Sequence, residues 1–130
     1  MGLSAARGGR SAVERVTELG RITLSGEVVA TLAGMAATEC YGIVGMASTR
    51  LKDGIAELLG RENLARGVEV HVDGNELEIH LYIVVGYGTR ISEIARNVTE
   101  KVRYVVESMT GLKVRAVRIH VQGVKVGYQP

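Results

Sequence analysis

Val68-Glu69-Val70-His71-Val72-Asp73-Gly74-Asn75-Glu76-Leu77-Glu78-Ile79-His80-Leu81-Tyr82-Ile83-Val84-Val85 is the stretch that decides the fold. Val68, Val70 and Val72 alternate with Glu69 and His71. Beyond the turn, Leu77, Ile79, Leu81, Ile83 and Val85 alternate with Glu78, His80, Tyr82 and Val84. A period of two marks a strand with one buried face. Two such runs around Asp73-Gly74-Asn75-Glu76 make a hairpin. Both apolar sets must share a face, and a slip of one residue would turn every side chain over. A turn at Gly74-Asn75 then sets Val72 against Leu77 and Val70 against Ile79. On the other face His71 meets Glu78 and Glu69 meets His80.

Two helical patterns flank this hairpin. Downstream, Gly86-Tyr87-Gly88 breaks the strand and Thr89 is placed to cap a helix over about Arg90 to Met109. Ile91, Ile94, Ala95, Val98, Val102, Val105 and Met109 recur at spacings of three and four, and Gly111 ends the pattern. Upstream, a short strand at Arg21 to Leu24 leads to Ser25, an N-cap with Leu24 and Val29 stapled across it. That helix runs to about Tyr41, with Val28, Val29, Leu32, Ala36 and Cys40 on one side. Ala30, Ala33, Gly34 and Ala37 make another side slim enough for close packing, and Gly42 follows as the C-terminal glycine.

Ile43 to Ala47 reads as a strand. In Ser48 to Arg66, the spacing of Ile55, Leu58, Leu59 and Leu64 predicts one short amphipathic helix, an insert on the surface. The last strand runs from Leu112 to about Gln122, with a change of phase between Ala116 and Val117 that predicts a β-bulge. The expected class is α+β: a small β-α-β-β-β-α-β sandwich, two long helices on one face of a mixed or antiparallel sheet. The domain spans 20–126. Residues 1–19 are expected as a flexible arm with a turn or two of helix from Ala12 to Leu19, and 127–130 as a C-terminal tail.

Composition narrows the function. A chain of 130 residues suits one domain. Its net charge of +2 is too small to carry a broad phosphate-binding face. The single cysteine, Cys40, excludes an intrachain disulfide and a cysteine-built metal cage. Every apolar run is interrupted well short of the ~20 residues of a membrane span, so no direct membrane insertion is expected.

Chemistry, if any, lies on the polar sheet face: His71, His80, Tyr82, Lys113, Arg115, Arg118 and His120. Three imidazoles on one face could bind zinc, but the register gives each hairpin histidine a carboxylate, and neither metal nor cofactor is expected. Cys40 reads as a small buried hydrophobe rather than a nucleophile. Gly86-Tyr87-Gly88 lacks the third glycine of a dinucleotide fingerprint, since Ile91 stands there. Gly42-Ile43-Val44-Gly45 matches the bare G-x-x-G of RNA-binding KH domains without an adjoining basic residue. No Ser/His/Asp set or close carboxylate pair stands out, and no enzyme is expected. The face, or the small-residue side of the first helix at Ala30, Ala33, Gly34 and Ala37, is read as a surface for self-association or protein partners. The alternative is a platform for single-stranded nucleic acid.

Several motifs, taken in order, carry a resemblance. Glu39-Cys40-Tyr41-Gly42-Ile43-Val44-Gly45-Met46-Ala47 is followed by Leu51-Lys52-Asp53-Gly54 and Arg66-Gly67-Val68. Tyr87-Gly88-Thr89-Arg90-Ile91-Ser92-Glu93, Thr110-Gly111-Leu112 and Val121-Gln122-Gly123-Val124 complete the set. Over about Gly20 to Val126 the chain resembles the alkaline-shock (envelope stress response) family of Gram-positive bacteria, in its shorter YloU-like branch. The resemblance implies a cytoplasmic protein of cell-envelope homeostasis without catalytic residues. Some members gather at the membrane through a membrane-embedded partner. Genes of the branch often neighbour a fatty-acid kinase, which implies a lipid-metabolism enzyme as another partner. Self-association is a further expectation.

Overall fold

The computed structural model describes residues 3–4, 12–17, 20–50 and 54–127, with side chains from residue 26 onward. In chain order the elements are β1 (Leu3–Ser4), β2 (Ala12–Thr17), β3 (Gly20–Ser25), α1 (Gly26–Thr38) and β4 (Ile43–Met46). A 3-10 helix (Arg61–Gly67), β5 (Val68–Asp73), β6 (Glu76–Gly86), α2 (Ile91–Thr110) and β7 (Lys113–Lys125) follow. The class is α+β, as expected.

β6 organises the main sheet. Along one edge it pairs antiparallel first with β5 and then, end to end, with β4. Along the other edge it pairs with β7 throughout, in parallel, so the sheet is mixed. The hairpin register is the one the alternation dictates: Val72 opposite Leu77, Val70 opposite Ile79, His71 opposite Glu78, Glu69 opposite His80. Burial on one face fixes it, because Val70, Leu77, Ile79, Leu81 and Ile83 are all fully buried. β1 adds a short pairing to the outer edge of β5.

Both helices lie on that face, with a correction to each. In α1 the slim side is buried together with part of the expected apolar side: Ala30, Ala33, Gly34 and Ala37 face the core with Val29 and Ala36, while Val28 is 48% exposed. Small residues let neighbouring backbone come close. A Cβ on Gly34 would sit 3.2 Å from the Leu64 Cβ of the 3-10 helix. In α2 the buried row is Ile94, Val98, Val102, Val106 and Thr110, spaced by four. Ile91 and Met109, expected inside, are exposed at the two ends. The N-cap is Arg90, without a side-chain bond. The Thr89 hydroxyl instead donates to the Gly86 carbonyl at 2.6 Å and closes the strand-to-helix turn. Gly111 takes the left-handed conformation at the C-terminus, φ 75°.

Four further expectations are corrected. Ala12–Thr17 is a strand rather than a helical turn, and it pairs antiparallel with β3 in a separate two-stranded ribbon. The strand expected at Arg21 to Leu24 therefore exists but does not join the main sheet. The capping roles given to Leu24 and Ser25 side chains, the remainder of the arm and residues 128–130 fall outside the described residues. Among its described residues the insert forms no amphipathic helix: Glu57 and Leu59 bond the backbone of Ser48 and Met46 as an extended edge, and helical turns begin at Arg61. The bulge in β7 falls at Arg115, and a second falls at Gln122.

The insert covers one end of the sheet's outer face. The Gln122 side-chain amide donates to the carbonyls of Ser48 and Thr49, and Ala56 lies against Gly123. Val84, which points away from the helices, is buried for that reason. The rest of the outer face is open and polar.

Candidate functional site: the open sheet face

Period-two alternation puts Glu69 and His71 of β5, Glu78, His80 and Tyr82 of β6, and Arg118 and His120 of β7 on the open face. Register brings Glu69, His80 and Arg118 into one row, and Tyr82 beside His120. The side chains then bond diagonally or along their own strand rather than straight across. His80 places Nε2 2.8 Å from Glu78 Oε2 and Nδ1 3.0 Å from His120 Nε2. The Tyr82 hydroxyl donates to Glu69 Oε1 at 3.1 Å, while His71 Nε2 stands 4.0 Å from the same oxygen. The rings form a continuous chain. Tyr82 and His120 stack with centroids 4.5 Å apart, His120 and His80 lie side by side in nearly one plane with centroids 5.2 Å apart, and His71 meets His80 edge-on at 5.1 Å.

Proton positions follow from the acceptors. An ionised carboxylate only accepts, so His80 carries its hydrogen on Nε2. In neutral His80 the Nδ1 is then an acceptor, and His120 donates to it from Nε2. If His80 gains a proton, the direction of that bond reverses. Either state keeps all three groups bonded.

Glu78 is the hub. Arg115 donates to Oε1 from one terminal nitrogen at 2.9 Å and to Asp73 from the other at 3.3 Å. Arg118 reaches Oε2 through Nε at 3.5 Å. The Arg115 bond first, then that from His80, holds the Glu78 carboxyl down at about 2, below its usual 4.5. Burial first, and then Glu69, raises the Tyr82 hydroxyl. A depressed carboxyl stabilises the fold above its unfolded value and loses that contribution as pH falls towards the folded one. Glu78→Gln is therefore expected to lower the urea midpoint at pH 7, with the gap to the native chain closing between about pH 4.5 and 2. A gap constant across that range would mean the carboxylate charge is not what Arg115 and His80 stabilise.

Of the expected site residues, six are gathered into this layer: His71, His80, Tyr82, Arg115, Arg118 and His120. Lys113 lies opposite Glu76 at the end of the sheet and takes no part in it. Glu78, Glu69 and Asp73 complete the network. The facing pairs of the hairpin already contained the first two, while Asp73 joins only because the bulge at Arg115 re-aims its guanidinium. Among the described residues, no group of three or more His, Cys, Asp or Glu side chains is placed to hold a metal ion. His80 has both ring nitrogens engaged. Cys40 is half-buried, with Sγ 3.7 Å from the Ala36 carbonyl, and burial raises its thiol.

A cavity of about 260 Å³ lies beside the start of α2, lined by Tyr41, Thr89, Arg90 and Asn97 among others. Among the described residues, no helix is long and apolar enough to cross a membrane.

Residues 14–126 match the model of a family described as ASP23, with a cell envelope-related function. The chain belongs to the ASP23 family. This is the alkaline-shock family that the motifs from Glu39 to Val124 resemble. The uncharacterised protein YloU of Bacillus subtilis (strain 168) is 52% identical to this ASP23-family chain over 115 residues, covering 88% of this chain and 96% of YloU. The uncharacterised Spy1614 of Streptococcus pyogenes serotype M6 is 42% identical, covering 85% of this chain and 92% of that protein. A second B. subtilis protein, YqhY, is 32% identical over 84% of this chain and 80% of its own length. Among solved structures, "MamM CTD - Copper form" aligns with 80% of this chain and 91% of that chain. At TM-score 0.47 and 13% identity the likeness carries no argument about what this ASP23-family chain does.

Proposed function

We propose that the chain is a non-enzymatic adaptor of cell-envelope homeostasis, working in the cytoplasm by protein–protein contact through its open sheet face. Its partner is a membrane-embedded protein, through which it gathers at the membrane, or an enzyme of lipid metabolism. The observation that carries this reading is the ordering of the face. Tyr82, His120, His80 and Glu78 are fixed by one another, with Arg115 and Arg118 bonded into the same layer. A surface ordered before contact loses little side-chain freedom on binding. The family's cell-envelope description supports the setting.

The same features count against a nucleic-acid platform. Base stacking needs free ring faces, whereas Tyr82 and His120 are stacked on each other. Phosphate contacts need free cations, and Arg115 is tied to Glu78 and Asp73.

Affinity capture from bacterial lysate, with and without nuclease and read by mass spectrometry, tests the reading. The expected result is a nuclease-resistant envelope or lipid-metabolism protein that is lost from the Arg115→Glu, Arg118→Glu double variant. Undiminished capture by that variant would remove the open face as the interface. Recovery of RNA, with proteins lost after nuclease, would overturn the adaptor in favour of a nucleic-acid module.

A further inference from the structure

β7 has one paired edge and one bare one. Its inner edge bonds β6 along the whole strand, while no strand of the described residues pairs with its outer edge. The bare edge is closed at its start by α2. The Val114 N–H donates to the Glu107 carboxylate at 2.8 Å, and the Val114 carbonyl accepts from Arg103 Nε at 3.3 Å. Past the bulge at Arg115 no such cover exists among the described residues until the second bulge at Gln122. Bulges twist an edge out of register with an incoming strand. The two therefore bound a regular, unpaired stretch, Ala116–Val121.

A second observation coincides with it. The β7 side chains on the core face run Val114, Val117, Ile119, Val121 and Val124. They lose cover along the strand: Val114 is 2% exposed, Val121 37% and Val124 51%. On the α2 flank that carries Arg103, the residues one and two helical turns earlier are the small Thr99 and Ala95. A shallow apolar groove thus lies along the bare edge, between that flank and β7. β7 carries Lys113, Arg115, Arg118 and Lys125 and no carboxylate of its own; Arg115 is tied to Glu78 and Asp73, and Arg118 is the cation within the open stretch. Arg118 is held only through Nε and leaves its terminal nitrogens to solvent among the described residues.

We propose that Ala116–Val121 receives an extended acidic segment of a partner protein, added to the sheet as a further strand. Its backbone pairs with the bare edge. Its apolar side chains enter the groove beside Val117, Ile119 and Val121, and its alternate carboxylates meet Arg118 and His120. A second copy of this chain fits less well, because two β7 edges bring Arg118 towards Arg118 or His120 of the other copy, and β7 supplies no carboxylate of its own to meet the free end of Arg118. The proposal rests on the adaptor reading and specifies the kind of segment an adaptor of this shape takes.

The test is a titration of the ¹⁵N-labelled full chain with the peptide Ac-Glu-Val-Glu-Val-Glu-Val-Glu-NH₂ and with its lysine counterpart. The acidic peptide is expected to shift the amides of 116–121 and slow their hydrogen exchange below about 1 mM. Arg118→Glu is expected to weaken it about tenfold, Arg118→Gln less, and the lysine peptide to leave the amides unmoved. Unmoved amides at that concentration, or equal binding of both peptides, would overturn the proposal. So would edge amides already protected, without peptide, in proportion to protein concentration, since that would assign the edge to a second copy. Shifts confined to the rings of His71, His80 and Tyr82 would overturn the edge while leaving the open-face adaptor standing.

Discussion

Leu81→Ala is expected to lower the unfolding free energy by about 2–5 kcal/mol. Leu81 sits mid-way along the one strand that pairs with three others. It lies opposite Val68 of β5 and Ile119 of β7, and it is fully buried. Truncation there removes transfer energy and leaves a hole that a sheet braced on both edges cannot close by relaxing. A domain of this size has only about 5–15 kcal/mol in total, so a substantial part is at stake. Urea unfolding followed by far-ultraviolet circular dichroism measures it, because the chain has no tryptophan. Leu81→Met is the control, expected to cost less than about 1.5 kcal/mol. A loss under about 1 kcal/mol for Leu81→Ala would contradict the placement of β6 at the centre of the core.

Gly42→Ala is expected to cost about 2–4 kcal/mol through two separable causes. Gly42 has φ +90°, a conformation that side chains resist. A Cβ there would also meet Ile94 Cδ1 and lie 2.8 Å from Ile94 Cγ1. Ile94 is buried at the first turn of α2 and has little room to withdraw. Adding Ile94→Val removes the methyl that the new Cβ would strike. The double variant is expected to regain some of the packing part of the loss relative to Ile94→Val alone, since Cγ1 remains, and to keep the backbone part. A double-mutant cycle in denaturant reads the coupling. Full additivity would mean that the helix start and the turn after α1 do not touch.

These two sites also show what was legible in the sequence. The hairpin could be read residue by residue because its burial is one-sided, so Leu81 and its neighbours had one permitted face. Gly111 could be placed because left-handed backbone at a helix end selects glycine; Gly42 is left-handed too, but in the turn after α1, which ends at Thr38 rather than at Tyr41. The open face was legible as a face, and the pairing of His71 with Glu78 and of Glu69 with His80 followed from register. Its bonds were not. Side chains on a twisted sheet reach same-strand and diagonal neighbours as readily as opposite ones, and His80 therefore bonds Glu78 of its own strand and His120 diagonally rather than Glu69. The failures share a cause. Ile55, Leu58 and Leu59 have helical spacing, yet the backbone around them completes the edge of β4, a tertiary demand that local spacing does not record. In α2, Ile91 and Met109 fit the stripe but lie beyond the reach of the sheet, so burial stops at Ile94 and passes to Thr110. In α1, alanine and glycine mark the packed side because closeness, not hydrophobic volume, was the requirement.

The pairing of β6 with β7 bears on the order of folding. The β5–β6 hairpin needs only a tight turn and can form in microseconds. β7 is parallel to β6 and can arrive only after the chain has traversed α2, a connection whose closure entropy must be met before any of its contacts form. Until then the fully buried row from Leu77 to Ile83 lies along an unpaired edge. During synthesis that interval is when a foreign strand could take the place of β7, and the hurdle falls away once Lys113–Lys125 has emerged and docked.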